Sequence, residues 1–374
     1  MFIFKVLKDT NLIKSDLYFY KIMELKTYCV IGQMSGTSLD GVDLVYVIFN
    51  EEGNYDFEIK FAKTYSYSNK WRNKLKNAFY ATSEEMTLLH VEYGHYLGQL
   101  MNQFIKEFSI KNIDFIASHG HTIFHNPAKK YTLQIGNGAS IASITNTKVV
   151  CDFRSQDVAL GGQGAPLVPI GDLLLFSDYD YCLNLGGFAN ISFQENGERK
   201  AFDICPANVV LNHYAEKLGF SFDKSGKQAS NGTINYELLN TLNNLKFYKN
   251  SNPKSLGIEF VNSEIFPLID KYFLSEKDVL RTFVEHIALK IAEKVNPTKK
   301  ILVTGGGTYN LFLIDQIKKL SKAELIIPSD LLINFKEALI FAFLGLLKIQ
   351  GKNNCLKSVT GAKKDHSSGL IYYT

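Results

Sequence analysis

The chain has 374 residues, of which 46% are apolar and 21% are charged. This length fits two domains that each bury a core, and the composition excludes disordered, collagen-like and coiled-coil proteins. The 41 Lys and Arg residues outnumber the 37 Asp and Glu residues by only four. Such a weak positive charge does not indicate a nucleic-acid partner.

The cysteine and apolar patterns narrow the class of protein further. The five cysteines are odd in number and widely spaced with no C-x-x-C pair, so we expect neither a disulfide framework nor a structural zinc site, and a cytoplasmic location. The longest apolar run, Ala338 to Leu347, is about half a membrane span and predicts a buried helix instead of a membrane partner. Lysines interrupt residues 1–22 every few positions, which predicts a loosely attached extension and no signal peptide.

The predicted elements alternate between strands and helices. The strands TYCVIGQM and VDLVYVIFN form a hairpin around the turn SGTSLDG, and a third strand, YDFEIKFAKTYSYS, follows. Residues 70–110 have helical spacing, and IDFIASHG, KVVCDF and YCLNLGG are short apolar strands. The later segments are FDICPANVVLNHYAEKLG (strand end, turn and helix), DVLRTFVEHIALKIAEKV (helix), KILVTGGG (strand and turn), YNLFLIDQIKKLS (helix) and FKEALIFAFLGLLKI (helix). This order predicts an α/β fold with a mixed sheet in each half and a seam near residues 135–150.

Several polar or glycine-rich segments follow the predicted strands. They are residues 35–43, 118–125, 161–166, 186–190, 203–208 and 305–310. Ligands of open α/β sheets bind beyond the carboxyl ends of strands, where glycines let backbone N–H groups approach phosphate oxygens. One such segment alone is more often a tight turn, but together they predict the walls of a ligand site.

The first of these segments has the most specific chemistry. It places the hydroxyls of Ser35, Thr37 and Ser38 close to the carboxylates of Asp40 and Asp43 in one hairpin bend. Hydroxyl and carboxylate oxygens suit phosphate and Mg²⁺. The alternative is a hairpin stabilised by local side-chain hydrogen bonds.

The segment MSGTSLDGVD closely resembles the opening motif of the anhydro-N-acetylmuramic acid kinases, which belong to the actin, heat-shock ATPase and sugar-kinase superfamily. The resemblance continues in chain order through ASHGHTIFH, TLQIGN, DFRSQDVALGGQGAPLVP, LNLGGFANIS, FDICPAN, PKSLG, VTGGGTYN, EALIFAFL and VTGA. It covers about residues 28–362. It implies a two-domain actin-like ATPase (ribonuclease H-like) fold with mixed sheets, flanking helices and an active site in the interdomain cleft. Domain I would comprise residues 23–140, completed by 338–374, and domain II would comprise residues 141–337.

The resemblance also implies a reaction. The enzyme would open the 1,6-anhydro bridge of 1,6-anhydro-N-acetylmuramic acid with water and phosphorylate the released 6-oxygen, with ATP and Mg²⁺ as cofactors, in peptidoglycan recycling. Its partners would be an amino sugar and a nucleotide, and a homodimer is compatible with the resemblance. Two alternatives stay open: an ordinary sugar kinase that deprotonates a free 6-hydroxyl, and a catalytically silent sugar- or nucleotide-binding protein.

The resemblance assigns catalysis to two carboxylates. The family's catalytic aspartate lies in the motif F-D-T-G-P-G-N, which is FDICPAN here, so the role falls on Asp203. Ile204, Cys205 and Ala207 replace Thr, Gly and Gly, and we expect them to narrow the loop and weaken nucleotide binding or slow the reaction. Glu337 matches the glutamate of the family's W-V-E-A-L motif. Without the resemblance, both acids are equally well explained as charges at a helix start.

Binding residues follow from the same motifs. The predicted ATP and phosphate contacts are Gly36, Thr37, Ser38, Leu39, Asp40, Gly41, Val42, Asp43, Gly186, Gly187, Asn190, Gly305, Gly306, Gly307 and Asn310. Asn310 is either a ribose ligand or a helix cap, and Asp40 is the candidate magnesium ligand. The predicted sugar contacts are Ser35, His119, Asp152, Arg154, Gln163 and Asn208.

Two of these assignments have explicit alternatives. The Arg154 guanidinium can bind the lactyl carboxylate of the sugar as a bidentate fork, or it can form a structural ion pair with Asp152 or Asp157. His119, His121 and His125 can share a strand face, which invites a metal site. No fourth ligand is apparent for such a site, so we predict that His119 hydrogen-bonds the sugar instead.

Overall fold

The computed structural model describes residues 26–36, 39–249 and 255–374, so the prediction for residues 1–22 lies outside the described residues. The strands are β1 (Lys26–Ser35), β2 (Gly41–Glu52), β3 (Asn54–Ser66), β4 (Phe115–Asn126), β5 (Tyr131–Ile135), β6 (Val149–Cys151), β7 (Tyr181–Leu185), β8 (Phe188–Glu195), β9 (Glu198–Pro206), β10 (Lys300–Thr304), β11 (Glu324–Ile326) and β12 (Leu370–Tyr372).

The helices before residue 250 are α1 (Asn69–Asn77), α2 (Ser83–Glu107), α3 (Gly138–Thr145), α4 (Ser155–Ala159), α5 (Pro169–Leu175), α6 (Asn208–Lys217), α7 (Lys227–Ser230), α8 (Tyr236–Asn243) and α9 (Lys246–Lys249). Next, α10 (Ile258–Phe260) continues through a π-helical turn (Val261–Ile265) into α11 (Phe266–Asp270). The chain ends with α12 (Glu276–Ala292), α13 (Leu311–Ser321), α14 (Asp330–Ile349) and α15 (Lys357–Thr360). Each helix and strand predicted from the sequence is present, with shifted ends.

Two mixed sheets share one topology. In the described part of the chain, the first sheet has the order β12-β6-β4-β1-β2-β3, with β5 paired to β4, and the second has the order β11-β10-β7-β8-β9. In each sheet three successive strands form an antiparallel meander, and the first of them pairs in parallel with a later strand. This repeated arrangement is the ribonuclease H-like topology, so the predicted fold is confirmed.

The first sheet extends beyond the boundary expected after residue 140. The chain passes through α3 and returns as β6, which pairs in parallel with β4 through Ile116 and Val149. Because β6 is hydrogen-bonded into the first sheet and carries β12 on its other edge, the first unit extends at least to Cys151. The sequence seam near residues 135–150 marks this crossover instead of a division between the sheets.

Helix α14 lies in the apolar core between the two sheets. Its predicted apolar run, Ala338 to Leu347, is buried, and the same core includes residues of β1 and β4 from the first sheet and of β7 and β10 from the second. Close packing requires Gly32 on β1, since a Cβ there would lie 2.2 Å from the Ala338 carbonyl oxygen. Within the described ranges, no helix combines the length and hydropathy needed to cross a membrane.

Candidate active site

The turn between β1 and β2 closes with a hydrogen bond from the Leu39 N–H to the Gly36 carbonyl at 3.4 Å. Leu39 has a positive φ of 61°, and the neighbouring Asp40 side chain is exposed. The turn therefore presents the Asp40 carboxylate to solvent. The predicted contacts at Thr37 and Ser38 lie outside the described residues.

The two residues that follow this turn, Gly41 and Val42, pack within the first sheet. Val42 is fully buried in the core beneath β2. Gly41 packs against β3, where a Cβ would lie 2.6 Å from the Tyr65 carbonyl oxygen. A phosphate contact at Gly41 or Val42 would therefore have to come from the backbone, and the predicted contacts there stay predictions.

Three charged side chains from distant parts of the chain form one cluster. Glu337 lies inside α14, where burial raises the pKa of its carboxyl, Arg154 opposes the rise and Asp43 adds to it. The Glu337 residue is nevertheless exposed to solvent, while the surrounding protein displaces part of its hydration. Helix α14 begins at Asp330, with Ser329 as its cap, so the expectation that Glu337 opens the helix is wrong.

Asp43 contributes a second carboxylate to this cluster. Its Oδ1 accepts a hydrogen bond from the Thr64 hydroxyl at 2.5 Å. Burial raises the pKa of Asp43, the Thr64 hydrogen bond opposes the rise, and the negative charge of Asp40 adds to it. Asp40 and Asp43 are therefore close enough to repel each other, which is the arrangement that a cation would relieve.

Arg154 is held by neutral groups. Its Nε–H donates to Nε2 of His119 at 3.0 Å, and its Nη1–H donates to the Gly164 carbonyl at 2.7 Å. Among the described residues, none of the ion pairs involves Arg154, so the predicted alternative of a salt bridge with Asp152 or Asp157 is wrong. The guanidinium keeps its charge available for an anionic group.

His119 orients Arg154 and has little capacity left for a sugar. Its Nδ1 donates to the Gly120 carbonyl at 3.1 Å while its Nε2 accepts from Arg154, so both ring nitrogens are occupied. Burial and the charge of Arg154 hold the pKa of His119 well below its usual value, and the ring is neutral. The predicted hydrogen bond from His119 to the sugar is therefore replaced by a positioning role.

A cavity of about 220 Å³ lies beside His119 and Asp152. Asp152 is exposed and has a φ of 54°, with its Oδ1 accepting from the Ser155 N–H at 3.3 Å. The cavity is also lined by His90 and Gln134, which the sequence analysis missed. The Gln134 Oε1 is buried without a hydrogen-bond partner, so it is an acceptor available to a ligand. The motif TLQIGN was the sequence signal for this residue.

Ser35 lies in a buried hydroxyl network. Its Oγ contacts the Tyr67 hydroxyl at 2.5 Å, His121 Nδ1 at 2.9 Å and the Tyr93 hydroxyl at 3.1 Å. Because the Ser35 hydroxyl already has three partners and the residue is 1% exposed, the predicted contact of Ser35 with the sugar is replaced by a supporting role under the turn.

The side chains of His119, His121 and His125 do not share a common partner. His121 bonds Ser35, whereas His125 Nδ1 contacts the Thr132 hydroxyl at 3.0 Å and His119 bonds Arg154. The three rings therefore have separate hydrogen-bond partners. Gln163 is exposed, and its backbone N–H donates to the Thr360 carbonyl at 2.8 Å, so its predicted sugar contact stays a prediction.

A polar row crosses the second sheet and contains Asp203. The strand register places Thr304 of β10 opposite Asn184 of β7, Asn184 opposite Asn190 of β8, and Asn190 opposite Asp203 of β9. Directly opposed residues share one face of a sheet, and Leu183 and Leu185 on β7 project to the other face into the core. The row therefore forms a polar floor. Asn184 was missed, although the motif LNLGG contains it.

Asp203 is held by the segment PKSLG, to which the sequence analysis gave no role. The Asp203 Oδ2 accepts from the Leu256 N–H at 2.7 Å and from the Ser255 hydroxyl at 3.3 Å. Burial raises the pKa of the carboxyl, and these two hydrogen bonds oppose the rise. Both bonds reach Oδ2, which orients the carboxylate. Within the described residues, no hydrogen bond or ion pair joins Asp203 to Glu337.

The three residues of FDICPAN that differ from the family motif point away from the polar floor. Ile204, Cys205 and Ala207 are each 1% exposed or less and belong to the core cluster of the second sheet. The expectation that they narrow the loop is therefore wrong, because their added volume is accommodated in the core.

The turn between β7 and β8 supports helix α6. Backbone N–H groups of Ala207 and Val209 donate to the Gly187 carbonyl at 2.8 and 3.2 Å, and the Asn208 side chain donates to the Leu185 carbonyl at 3.0 Å. Asn208 thus joins α6 to the turn instead of projecting an unbound amide to a sugar. A Cβ on Gly187 would meet no atom within 4 Å, so this residue borders open space.

In the glycine turn after β10, two glycines pack against protein atoms and one borders open space. Gly305 has a φ of 87°, and a Cβ there would lie 2.6 Å from Asn184 Oδ1, whereas a Cβ on Gly306 would meet nothing within 4 Å. A Cβ on Gly307 would lie 2.7 Å from the Leu185 side chain. Gly306 is therefore the position open to a ligand. Asn310 caps α13, since its Oδ1 accepts a hydrogen bond from the Leu313 N–H at 3.0 Å, and its predicted ribose contact stays a prediction.

Comparison with known proteins gives consistent matches over nearly the whole chain. A family model described as anhydro-N-acetylmuramic acid kinase matches residues 28–374. A protein of that name from Vibrio cholerae serotype O1 is 34% identical over 366 residues, which cover 92% of this chain and 98% of the relative. A protein of the same name from Clostridioides difficile strain 630 is 35% identical over 375 residues, which cover 91% and 97%.

Among solved structures, component A of the (R)-2-hydroxyglutaryl-CoA dehydratase of Acidaminococcus fermentans is similar at 14% identity, with 84% of this chain and 96% of that chain covered and a TM-score of 0.42. The fold assignment rests on the sheet topology described above.

Proposed function

The chain belongs to the anhydro-N-acetylmuramic acid kinase family, and from this membership we propose that it opens 1,6-anhydro-N-acetylmuramic acid with water and phosphorylates the 6-oxygen with ATP. The products are N-acetylmuramic acid 6-phosphate and ADP, as peptidoglycan recycling in the cytoplasm requires. The observation that carries the proposal is the match of about a third of the residues over nine-tenths of the chain.

Asp203 acts as the general base. It accepts a proton from a water whose oxygen attacks the anomeric carbon, while the bond from that carbon to the 6-oxygen breaks. The 6-oxygen attacks the γ-phosphorus, and the bond from this phosphorus to the bridging oxygen breaks, so that ADP leaves. The bonds from Leu256 and Ser255 to Oδ2 fix the carboxylate plane, which a base needs to hold water in line. The raised pKa of Asp203 strengthens it as a proton acceptor.

The nucleotide lies over the polar floor, beside the open glycines. Gly187 and Gly306 leave room for phosphate or adenosine to approach the backbone, as a Cβ there would meet no protein atom. Asp40 and Asp43 provide the oxygen ligands that Mg²⁺ prefers, and their mutual repulsion supports a cation there. When bound, Mg²⁺ neutralises charge on the transferring phosphoryl group.

The sugar lies beside Arg154 and Glu337. The Arg154 guanidinium carries a charge that no carboxylate of the described residues pairs directly, which suits the lactyl carboxylate of the sugar. Glu337 lies close enough to Arg154 for the two charges to interact, and it is the second carboxylate of the proposed site. Asp152, Gln134 and the cavity of about 220 Å³ would contact the rest of the sugar ring.

A product assay in labelled water tests the proposal against both alternatives. The enzyme is incubated with Mg-ATP in H₂¹⁸O and either the anhydro-sugar or reducing N-acetylmuramic acid, and ADP and label are measured at early turnover. ADP formation with the anhydro-sugar, with label in the anomeric hydroxyl, is expected. ADP with the reducing sugar alone would indicate an ordinary kinase, and no ADP with either sugar would indicate a silent binding protein. The buried positions of Ile204, Cys205 and Ala207 remove the feature that favoured the silent reading.

A further inference from the structure

Three potential metal ligands meet in a buried cluster outside the kinase site. Asp157 lies in α4, Cys355 lies between α14 and α15, and His366 lies before β12. One ligand atom from each of these residues lies within 4.8 Å of the other two, and all three residues are buried. We name this set the Asp157–Cys355–His366 cluster.

The His366 ring is arranged as a metal ligand would be. Its Nδ1 donates to the Lys364 carbonyl at 3.1 Å, so the lone pair is on Nε2. The Nε2 atom is buried and has no hydrogen-bond partner among the residues that the structure describes, and its side chain is 3% exposed. A buried acceptor without a partner is costly, and donation from the other ring nitrogen to a backbone carbonyl is the usual support of a metal-binding histidine.

The distance between His366 and Asp157 fits ligands of a shared ion. His366 Nε2 lies 3.6 Å from Asp157 Oδ1, which is too long for a hydrogen bond. Two N or O ligands of a tetrahedral Zn²⁺ at its usual bond lengths lie roughly 3.4 Å apart. The observed separation therefore matches two ligands around one ion better than a direct contact.

The backbone and neighbouring side chains hold the cluster in place. Cys355 and His366 face each other in an antiparallel bridge, with reciprocal N–H to carbonyl bonds of 3.1 and 3.2 Å, so their side chains lie on one face. Asp157 Oδ1 accepts from the Thr360 hydroxyl and Oδ2 accepts from the Gly164 N–H, each at 2.7 Å. Such supporting bonds are how proteins fix a carboxylate ligand.

The charge of the ligand set also fits a divalent cation. A divalent ion would balance one thiolate and one carboxylate, so the buried site would be neutral as a whole.

We propose that Asp157, Cys355 and His366 bind one thiophilic divalent cation, Zn²⁺ by its ligand preference, as a structural site separate from the magnesium of the kinase reaction. A sulfur, an imidazole nitrogen and a carboxylate oxygen are zinc ligands, whereas Mg²⁺ takes oxygen. Binding replaces the thiol proton, which leaves to solvent. The ion joins α4 to the C-terminal segment and supports Gly164, whose carbonyl holds Arg154.

Cobalt substitution tests the site without any kinase assay. The full chain is treated with a chelator, transferred to metal-free buffer without nucleotide, and titrated with Co²⁺. We expect one equivalent to bind with a thiolate-to-cobalt absorption in the near ultraviolet and intense visible bands of four-coordinate Co²⁺. Excess Mg²⁺ should leave the bands intact and one equivalent of Zn²⁺ should remove them. Absence of the thiolate band in the wild-type chain overturns the proposal.

Two variants and one control test which side chains bind the ion. Cys355→Ser should abolish the thiolate band, and His366→Gln should weaken Co²⁺ binding on the order of 100-fold or more. Cys29→Ser, which removes a thiol on β1 outside the cluster, is the matched control and should bind Co²⁺ like the wild type. A band that persists in Cys355→Ser overturns the assignment. If that variant fails to fold, the wild-type chain still decides, because Zn²⁺ at 100 times its Kd should raise its Tm by about 3–5 °C.

Discussion

Arg154 and His119 form a hydrogen bond in which the Arg154 Nε–H donates to His119 Nε2 at 3.0 Å. The bond requires a neutral imidazole with its proton on Nδ1, and the lowered pKa of His119 provides it over the whole physiological range. The imidazole thus fixes the direction of the guanidinium without neutralising it. His119 therefore supports Arg154, and the sugar contact of Arg154 stays a proposal.

Arg154→Lys should weaken binding of the anhydro-sugar by about 10- to 100-fold in KM, with a smaller effect on kcat. Lysine keeps the charge but loses the planar fork and the bond to His119. Steady-state kinetics with 1,6-anhydro-N-acetylglucosamine, which lacks the lactyl carboxylate, provide the control. For that sugar the variant and the wild type should have similar KM values. An equal loss for both sugars would mean that Arg154 does not bind the lactyl group.

Asp203→Asn should bind ATP and sugar nearly as the wild type does and lose on the order of 10²–10⁴-fold in kcat, since only the proton acceptor is removed. The amide oxygen can still accept from Leu256 and Ser255, so the loop should keep its shape. Calorimetric titration measures the binding and a coupled ADP assay measures the rate. Retained turnover with weakened sugar binding would make Asp203 a binding residue.

Glu337→Gln should leave the Tm at pH 7.5 unchanged or raise it. Because the pKa of Glu337 is raised in the folded chain, the folded state holds the proton more tightly than the unfolded state. The charged form is therefore unfavourable above the raised pKa, and this penalty is relieved as the pH falls through it. The difference in Tm between variant and wild type should shrink toward pH 4. A variant that is clearly less stable at pH 7.5 would contradict this, since it would mean that the attraction to Arg154 outweighs burial.

Gly305→Ala and Gly306→Ala should separate folding from nucleotide binding. Gly305 has a φ of 87° and lies against Asn184, so a methyl group there should cost about 2–4 kcal/mol of unfolding free energy. Gly306 faces open space, so Gly306→Ala should keep its stability and lose ATP affinity. Urea denaturation and calorimetric ATP titration measure the two effects. Unchanged ATP affinity in a folded Gly306→Ala chain would place the nucleotide elsewhere.

Ile204→Thr, which restores the family residue, should destabilise the protein by about 2–4 kcal/mol through a lost methyl contact and a buried hydroxyl. It should not raise kcat, because Ile204 faces the core of the second sheet. Thermal unfolding and ADP release measure the two effects. A several-fold gain in kcat would show that the side chain at this position reaches the nucleotide after all.

Local patterns predicted the elements but not their partners. Alternating apolar residues identified β1 to β4, and helical spacing identified α2, α12 and α13. The strands β5, β8, β11 and β12 were missed. Three of them, β5, β11 and β12, have only three to five residues, which carry little periodicity and become strands only beside a neighbour. For the same reason the boundary at residue 140 cut through the first sheet, whose strand β6 is identified by its pairing with β4.

The sequence by itself determined the family, the fold class and the motifs that carry the site, because those depend on residue type and order along the chain. It could not determine which side each residue faces. Only the tertiary structure placed the Ile204 side chain in the core and supplied the hydrogen-bond partners of the Ser35 hydroxyl. Folding also paired His119 with Arg154, and it brought Asp43 close to Glu337, which lies nearly 300 residues later in the chain. It also gathered Asp157, Cys355 and His366 without any C-x-x-C spacing. Such contacts depend on the packing of α14 and the sheets, and no local spacing encodes the distance between residues that meet only when the chain has folded.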